Sequence, residues 1–568
     1  MTVVVLSTPE RATDLNFAPI HTAQLISVLR QECSVENVSY KDIHSTDYHL
    51  YHNAVATLLT EKAQDVFDVR LQPSMLLNEA VSLVDRFVFH QHLGIETRLE
   101  REWRPNKSII ERLRRIWVGA LQQVCRPSDI NHATCVLLVS PGFDLYGPLA
   151  MASLIKEIDP AVPTVLISDY TYEQSVSTLL TILSGRDVYG HDIQPWLALD
   201  PGLDSARRAF VKFVDIVIDG EGFDVLRRWF RSPRTPRPLQ RGTHRITSVR
   251  YRQSDGGRLV AQETENDALG WPLEGMSTAS LTIVPSSRSD ISDYPIPDYS
   301  DMVSIYRRGQ LEFGRGCKYA CAFCERTVGW GLRYQSKDPV QALSEIEELI
   351  SKYPKWKWIF WDAALDTDVL RSSEFLGLLE SEGPVFDWMA VMRFNPLPPT
   401  YFEMMKSAGC TKIEFGMESY DSDVLRSMRK AVRLDVMDRL LEAFAQSGIE
   451  RASMNHMLGW PTDTTTSQSK TMRFVDKWAE KLPDLVVTSS TYIPGPNQPL
   501  GISEHARLGI ELLPLAPDRI GECTILESSL GRLCGLHFRR GMSRTELLRT
   551  VEFYAKQPYY VGPKVLMA

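Results

Sequence analysis

Three of the chain's nine cysteines fall within eight residues, in the run GRGCKYACAFC, at Cys317, Cys321 and Cys324. On one short loop, a C-x3-C-x2-C spacing lets three thiolates wrap three corners of a cubane iron–sulfur cluster and leaves the fourth iron open to a small molecule. Zinc would need a fourth Cys or His, and none occurs between Cys324 and Cys410. Cys33, Cys125, Cys135, Cys410, Cys523 and Cys534 have no ligand spacing and read as small buried hydrophobes.

A chain of 568 residues has room for three or four domains, at roughly 150 residues each. With 43% hydrophobic and 24% charged residues it has the composition of an ordinary folded protein. Its 63 basic and 71 acidic residues give a net charge of −8, which argues against nucleic acid or anionic lipid as a partner. No stretch approaches the roughly 18 to 20 apolar residues of a membrane span. The N-terminus, MTVVVLSTPERATD, lacks a basic region and a cleavage site and reads as a first strand. The expected location is a reducing cytoplasm.

The first third alternates strands and helices. Apolar runs at 3–6, 35–40, 134–140, 164–168 and 214–218 each end in small polar residues. A charged helical stretch at about 54–126 interrupts them. Continuous apolar strands between helices predict a parallel, doubly wound, Rossmann-like domain over 1–230. Its ligand would lie at the strands' carboxyl ends, on the loops 141–147, 169–172 and 219–222. Residues 231–294 read as a Pro- and Arg-rich linker followed by a hairpin turning at 255–257.

A second alternating series, at 310–314, 357–361, 388–392, 411–416, 451–458 and 485–492, predicts a partial (β/α)6 barrel over 295–500 with its chemistry at the strands' C-terminal ends. The cysteine loop directly follows the first of these strands. After Asp338-Pro339, an N-cap and a first-turn proline, Val340, Leu343, Ile346, Leu349 and Ile350 recur on one helical face. Residues 501–568 read as a small, mostly helical domain.

The cysteine motif, with Phe323 before its last cysteine, resembles that of the radical S-adenosylmethionine (SAM) superfamily. IPDYSDM and FGRGC, GLRYQSKDPVQALSEIEEL, IFWDAALDTD, SAGCTKIEFGMESYDSDVLRSMRK and LGWPTDT resemble successive segments of that family's barrel. The resemblance implies that Cys317, Cys321 and Cys324 hold a 4Fe–4S cluster whose open iron is chelated by SAM. It further implies that one electron from an external flavodoxin- or ferredoxin-type reductant cleaves SAM to a 5′-deoxyadenosyl radical. Strand-end position and resemblance nominate Phe323, Asp362, Arg393, Glu418 and Ser419 as SAM contacts; Arg393 would pair with a carboxylate through two N–H groups.

A doubly wound domain ahead of such a barrel resembles the cobalamin-binding subgroup of the family. VDIVIDGEGFDVL resembles its Gly-Glu-Gly turn. The resemblance nominates Ser140, Gly142, Ser168, Asp169, Gly220 and Glu221 as corrin contacts. The DIHSTD run departs from the cobalt-ligating D-x-H-x-x-G motif in ending at Asp47, so His44 reads as structural. Trp330, Trp361, Trp388 and Trp460 lie near barrel strand ends and read first as core.

The function implied by resemblance is cobalamin-dependent methyl transfer, via methylcobalamin, to an unreactive carbon of a small-molecule or peptide natural-product precursor. Two other readings stand beside it. One is a radical SAM cyclase or oxidoreductase that uses cobalamin for redox or not at all; the other is a non-catalytic iron–sulfur electron carrier.

Overall fold

The computed structural model describes residues 1–7, 17–33, 35–43, 46, 48–66, 77–94, 98–140, 146–168, 183–184, 192, 203–230, 247–253, 259–265, 280–286, 289–324, 332–492, 498, 504–505, 507–514, 524–526, 534–538 and 541–562. Strands β1 (Thr2–Ser7), β2 (Asn37–Asp42), β3 (Cys135–Ser140), β4 (Thr164–Ser168) and β5 (Ile216–Asp219) run parallel in the order β2-β1-β3-β4-β5. Alternate residues of these strands feed different cores. Val4, Leu6, Val136, Leu138, Leu166 and Val217 pack with the helices of the insertion. Val3, Val5, Leu137, Val139, Ile167 and Ile218 pack into the core shared with the second domain. A sheet buried on both faces has no polar side, which is why each strand reads as an unbroken apolar run.

The sheet does not stop at β5. The hairpin β6 (Thr247–Gln253) and β7 (Leu259–Glu265) pairs antiparallel, and β8 (Ser280–Pro285) lies parallel to β5 and antiparallel to β6. The expected hairpin therefore extends the first sheet through β8. Without β8, β5 would be an open apolar edge, which folded proteins cover. The interrupting stretch is helical as expected, with helices at Tyr48–Val66, Leu77–Leu93, Arg98–Trp103 and Lys107–Val124.

The second sheet comprises β9 (Arg308–Leu311), β12 (Lys357–Phe360), β13 (Trp388–Met392), β14 (Cys410–Glu418), β15 (Arg451–Leu458) and β16 (Val486–Thr491), all parallel and neighbouring in that order. Between β9 and β12 a short hairpin, β10 (Gly314–Gly316) with β11 (Tyr334–Ser336), carries the cysteine loop. In helix Pro339–Lys352 the Asp338 carboxylate accepts N–H bonds from Val340 and Gln341. Leu343, Ile346 and Leu349 are buried, while Val340, in the first turn, is 66% exposed.

The C-terminal piece contains the expected helix, Arg544–Tyr554, closed by a Ser543/Glu546 capping box. It also holds strands the helical reading did not anticipate. β17 (Ile510–Pro514), β18 (Thr524–Leu526) and β19 (Cys534–Phe538) form an antiparallel sheet, and β20 (Tyr560–Val561) pairs parallel with β16 as a seventh barrel strand.

The two main domains meet along helix Ile20–Ser27, all of whose residues are buried. Ala18 bridges Gly309 at the edge of β9, and the Gln310 side chain accepts the Ile20 N–H at 2.9 Å. Arg30 pairs with Asp298 at 2.8 Å and Asp301 at 2.6 Å, and Tyr306 donates to Asp42 at 2.8 Å.

Candidate active site

The cysteine loop leaves β10 through Gly316, whose φ of +84° is a left-handed conformation that favours glycine. Cys317 and Cys321 are buried and Cys324 is half-buried. The Cys324 N–H turns back onto the Cys321 carbonyl at 3.1 Å, and the Ala322 N–H bonds the Met428 carbonyl at 2.8 Å, pinning the loop to the end of helix Ser422–Ser427. The three thiols are not drawn onto a single point: among the described residues no three His, Cys, Asp or Glu side chains are gathered as for a metal ion.

The loop nevertheless has the donors and surroundings that an iron–sulfur cluster requires. Arg393, one residue past β13, places Nη1 3.3 Å from the Cys321 sulfur and stacks its guanidinium 3.9 Å from the Tyr319 ring centre. Its Nε and Nη2 are buried without a hydrogen-bond partner, as is the Ser419 hydroxyl one residue past the neighbouring β14. Leaving such donors unsatisfied costs on the order of 1–3 kcal/mol each. An anionic or polar ligand at these adjacent strand ends would recover that cost.

Glu418 and Asp362 are already engaged by the protein. Glu418 has φ +63°, and its carboxylate pairs with Lys430 at 2.9 Å, with side-chain exposures of 12% and 3%. Asp362 accepts the N–H groups of Phe313 at 3.0 Å and Gly314 at 2.6 Å, so it fixes the backbone that leads into the cysteine loop. Burial pushes its carboxyl up to about 8, against the pull of those two N–H groups. Sequence reasoning missed the second buried acid, Asp366. It accepts the Arg393 N–H at 2.8 Å, and burial raises its carboxyl to about 6. Its signal was present as the second acid of IFWDAALDTD. Lys430, at the end of the quoted SMRK run, was also missed.

Phe323 sits edge-on to Trp460 (6.4 Å between ring centres), and Trp460 to Tyr492 (4.5 Å). Trp460 also donates its indole N–H to Ser427 at 2.7 Å, and Trp388 donates to the Ala408 carbonyl at 2.8 Å; both are core residues.

In the first domain, Ser140 and Ser168 end the adjacent strands β3 and β4 and pair in register. The 220–222 turn has positive φ at Gly220 and Gly222, and a Cβ on Gly222 would come within 2.3 Å of Ile167. The Glu221 carboxylate is held by the Tyr294 hydroxyl and by the Ser289 N–H at 3.2 Å. Burial raises its carboxyl to about 7. Burial also drives His21 down to about 3, so its neutral ring donates from Nε2 to the Glu221 carbonyl at 2.9 Å. The Arg315 guanidinium, two residues before Cys317, lies 4.2 Å from the Tyr294 ring centre. A buried chain of contacts thus joins the Gly-Glu-Gly turn to the cysteine loop. Gly142, Asp169, His44 and Trp330 lie outside the described residues.

Residues 311–475, which contain the cysteine loop and the four barrel strands β12 to β15, match the family described as the Radical SAM superfamily. The chain carries a radical SAM domain. It is 24% identical over 195 residues to an uncharacterized methyltransferase of Pyrococcus horikoshii, a match covering 33% of this chain and 42% of the relative. It is 26% identical over 212 residues to the hopanoid C-2 methylase of Rhodopseudomonas palustris, covering 35% and 38%. The chain therefore spans about two fifths of the length of these curated relatives. In fold it is similar to the radical SAM methyltransferase TsrM from Kitasatospora setae, solved with tryptophan and a SAM analog. The TM-score is 0.55 at 13% identity, covering 100% of this chain and 92% of the other. TsrM has also been solved with cobalamin and a [4Fe-4S] cluster bound. No described helix is long and apolar enough to cross a membrane.

Proposed function

We propose that this radical SAM enzyme is a cobalamin-dependent methyltransferase acting on an unreactive carbon of a small-molecule or peptide precursor. The observation that carries this reading is the packing of a doubly wound sheet, strand order β2-β1-β3-β4-β5, against a barrel whose cysteine loop is tied to the first domain's Gly-Glu-Gly turn through Tyr294 and Arg315. The order reverses between β1 and β3, and the crevice at such a reversal is where doubly wound sheets bind ligands. The likeness of fold to TsrM, which runs through both domains, supports the same reading.

Cys317, Cys321 and Cys324 would hold the cluster. Arg393 and Ser419 would bind SAM with their unpartnered donors, and Glu418 would contact it from its pair with Lys430. The ends of β3 and β4 and the 220–222 turn would face the corrin. Bound there, these groups supply one-electron and methyl-transfer chemistry; the protein's own residues orient them and exclude water.

The test is an anaerobic preparation given methyl-deuterated SAM and dithionite. Expected are an extractable corrinoid, deuterated methyl on that corrinoid, and 5′-deoxyadenosine. Deoxyadenosine without any label on the corrinoid would remove methyl transfer and leave the cyclase or oxidoreductase reading.

A further inference from the structure

The Gly-Glu-Gly turn is gripped by a segment that lies outside both large sheets. After β8 the chain runs back along the turn. The Ser286 N–H bonds the Asp219 carbonyl at 2.7 Å, its hydroxyl accepts the Gly222 N–H at 2.8 Å, and the Ser289 N–H reaches the Glu221 carboxylate at 3.2 Å. Gly220 makes room for this approach: a Cβ there would stand 3.0 Å from the Ser286 Cβ. A single 3-10 turn, Ile291–Asp293, capped by the Asp290 carboxylate, then delivers Tyr294, which is 4% exposed.

Tyr294 faces both domains at once. Its hydroxyl donates to the Glu221 carboxylate, its ring lies edge-on to Phe223 at 5.3 Å between centres, and the Arg315 guanidinium rests 4.2 Å from its ring centre. Arg315 is fixed in turn by a two-pronged ion pair with Glu312, both residues buried. On the other side of the turn, His21 donates to the Glu221 carbonyl at 2.9 Å from the second position of helix Ile20–Ser27, whose first N–H is accepted by Gln310 of β9. Two routes, both made of buried residues, therefore join the turn to the strands that lead into the cysteine loop.

We propose that Tyr294 is a positioning residue that couples the two cofactor sites, transmitting the order of the Gly-Glu-Gly turn to the cysteine loop, so that a corrin at the turn and a cluster on the loop each tighten the other's binding. This rests on the corrin and cluster assignments made above. A buried side chain whose hydroxyl, ring edge and ring face are all engaged cannot follow a shift of Glu221 without displacing Arg315. A ligand that fixes one end removes part of the ordering cost at the other. The effect is reciprocal, as any coupling between two binding equilibria must be.

The experiment measures hydroxocobalamin affinity by anaerobic equilibrium dialysis on the full chain, before and after reconstitution of the cluster, with iron and sulfide content and thermal midpoint as controls. In the parent, loading the cluster is expected to tighten cobalamin binding by about fivefold or more. Tyr294→Phe keeps the ring against Arg315 and loses the hydroxyl on Glu221. It is expected to load a full cluster, with its two affinities agreeing within about twofold. Arg315→Lys, which loses the planar face over the ring, is expected to behave in the same way. Tyr554→Phe removes another buried hydroxyl, the one on Gln468 at 3.0 Å, and is expected to keep the parental ratio. A general loss of stability would lower both affinities together and leave the ratio unmoved. The parental ratio in Tyr294→Phe or in Arg315→Lys would overturn the proposal, as would a ratio near one in the parent or a collapsed ratio in Tyr554→Phe. If Tyr294→Phe does not fold, Arg315→Lys decides by the same criteria. Cobalamin binding that ignores the cluster leaves the corrin reading standing, whereas no binding by any form removes that reading and this one with it.

Discussion

Glu79 and Arg544 are 465 positions apart, yet they form a two-pronged ion pair, Nη1 to Oε1 at 3.0 Å and Nη2 to Oε2 at 2.5 Å, with both side chains 3% exposed. The pair ties the helical insertion of the first domain to the C-terminal helix. Breaking one side of a buried pair strands a charge, a loss of about 3–5 kcal/mol, whereas replacing both partners by apolar groups is often neutral. Arg544→Ala is therefore expected to lower the thermal midpoint sharply, and the double Glu79→Leu/Arg544→Leu variant to recover most of it. A double variant no better than the single one would contradict this account.

Cys410 is the first residue of β14 and lies outside the loop that holds the other three cysteines. Burial pushes the Cys410 thiol up, away from the thiolate form. Cys317→Ala, Cys321→Ala and Cys324→Ala are each expected to abolish the visible absorbance of the anaerobically reconstituted cluster, and Cys410→Ala to retain it.

Arg393 offers two unpartnered N–H groups beside the Cys321 sulfur. Arg393→Lys keeps the charge but loses the planar fork, and is expected to weaken SAM binding by about tenfold. Dialysis against labelled SAM measures this, with iron content as the control; unchanged affinity would move Arg393 out of the SAM site.

Glu221 makes the stability of the fold depend on pH in the direction opposite to an ordinary salt-bridged acid. Burial raises its carboxyl from 4.5 to about 7, so the folded state holds a proton that the unfolded chain releases more easily. The resulting penalty is absent below about pH 4.5, grows through the interval, and is complete above about pH 7. Glu221→Gln keeps the shape and loses the titration. The gap between its thermal midpoint and the parent's is expected to shift in the variant's favour as pH rises through that window. A constant gap would show that Glu221 does not titrate there.

Much of this arrangement is legible in the sequence because it is local. The six barrel strands, the Asp338 cap and the cysteine loop each follow from spacings of a few residues. What escaped is held by distant partners. The hairpin 247–265 carries alternating polar residues typical of an edge, and only its pairing through β8 to β5 joins it to the first sheet. Glu418 was found by its strand-end position, but the Lys430 that engages it lies beyond a helix and a left-handed turn. Tyr294, which joins Glu221 to Arg315, lies in a segment with no regular period to flag it.

Helix Ile20–Ser27 belongs by sequence to the first domain and by contact to both. Ala18 supplies backbone to the edge of β9, and Gln310 of β9 accepts the helix's first N–H. The units seen in the sequence are therefore not interchangeable cassettes. A fragment starting at residue 295 would expose the flank of β9 and empty the partners of Asp298, Asp301 and Tyr306. A chimaera carrying a foreign first domain would have to bring its own equivalent of residues 17–42 to close the barrel it is grafted onto.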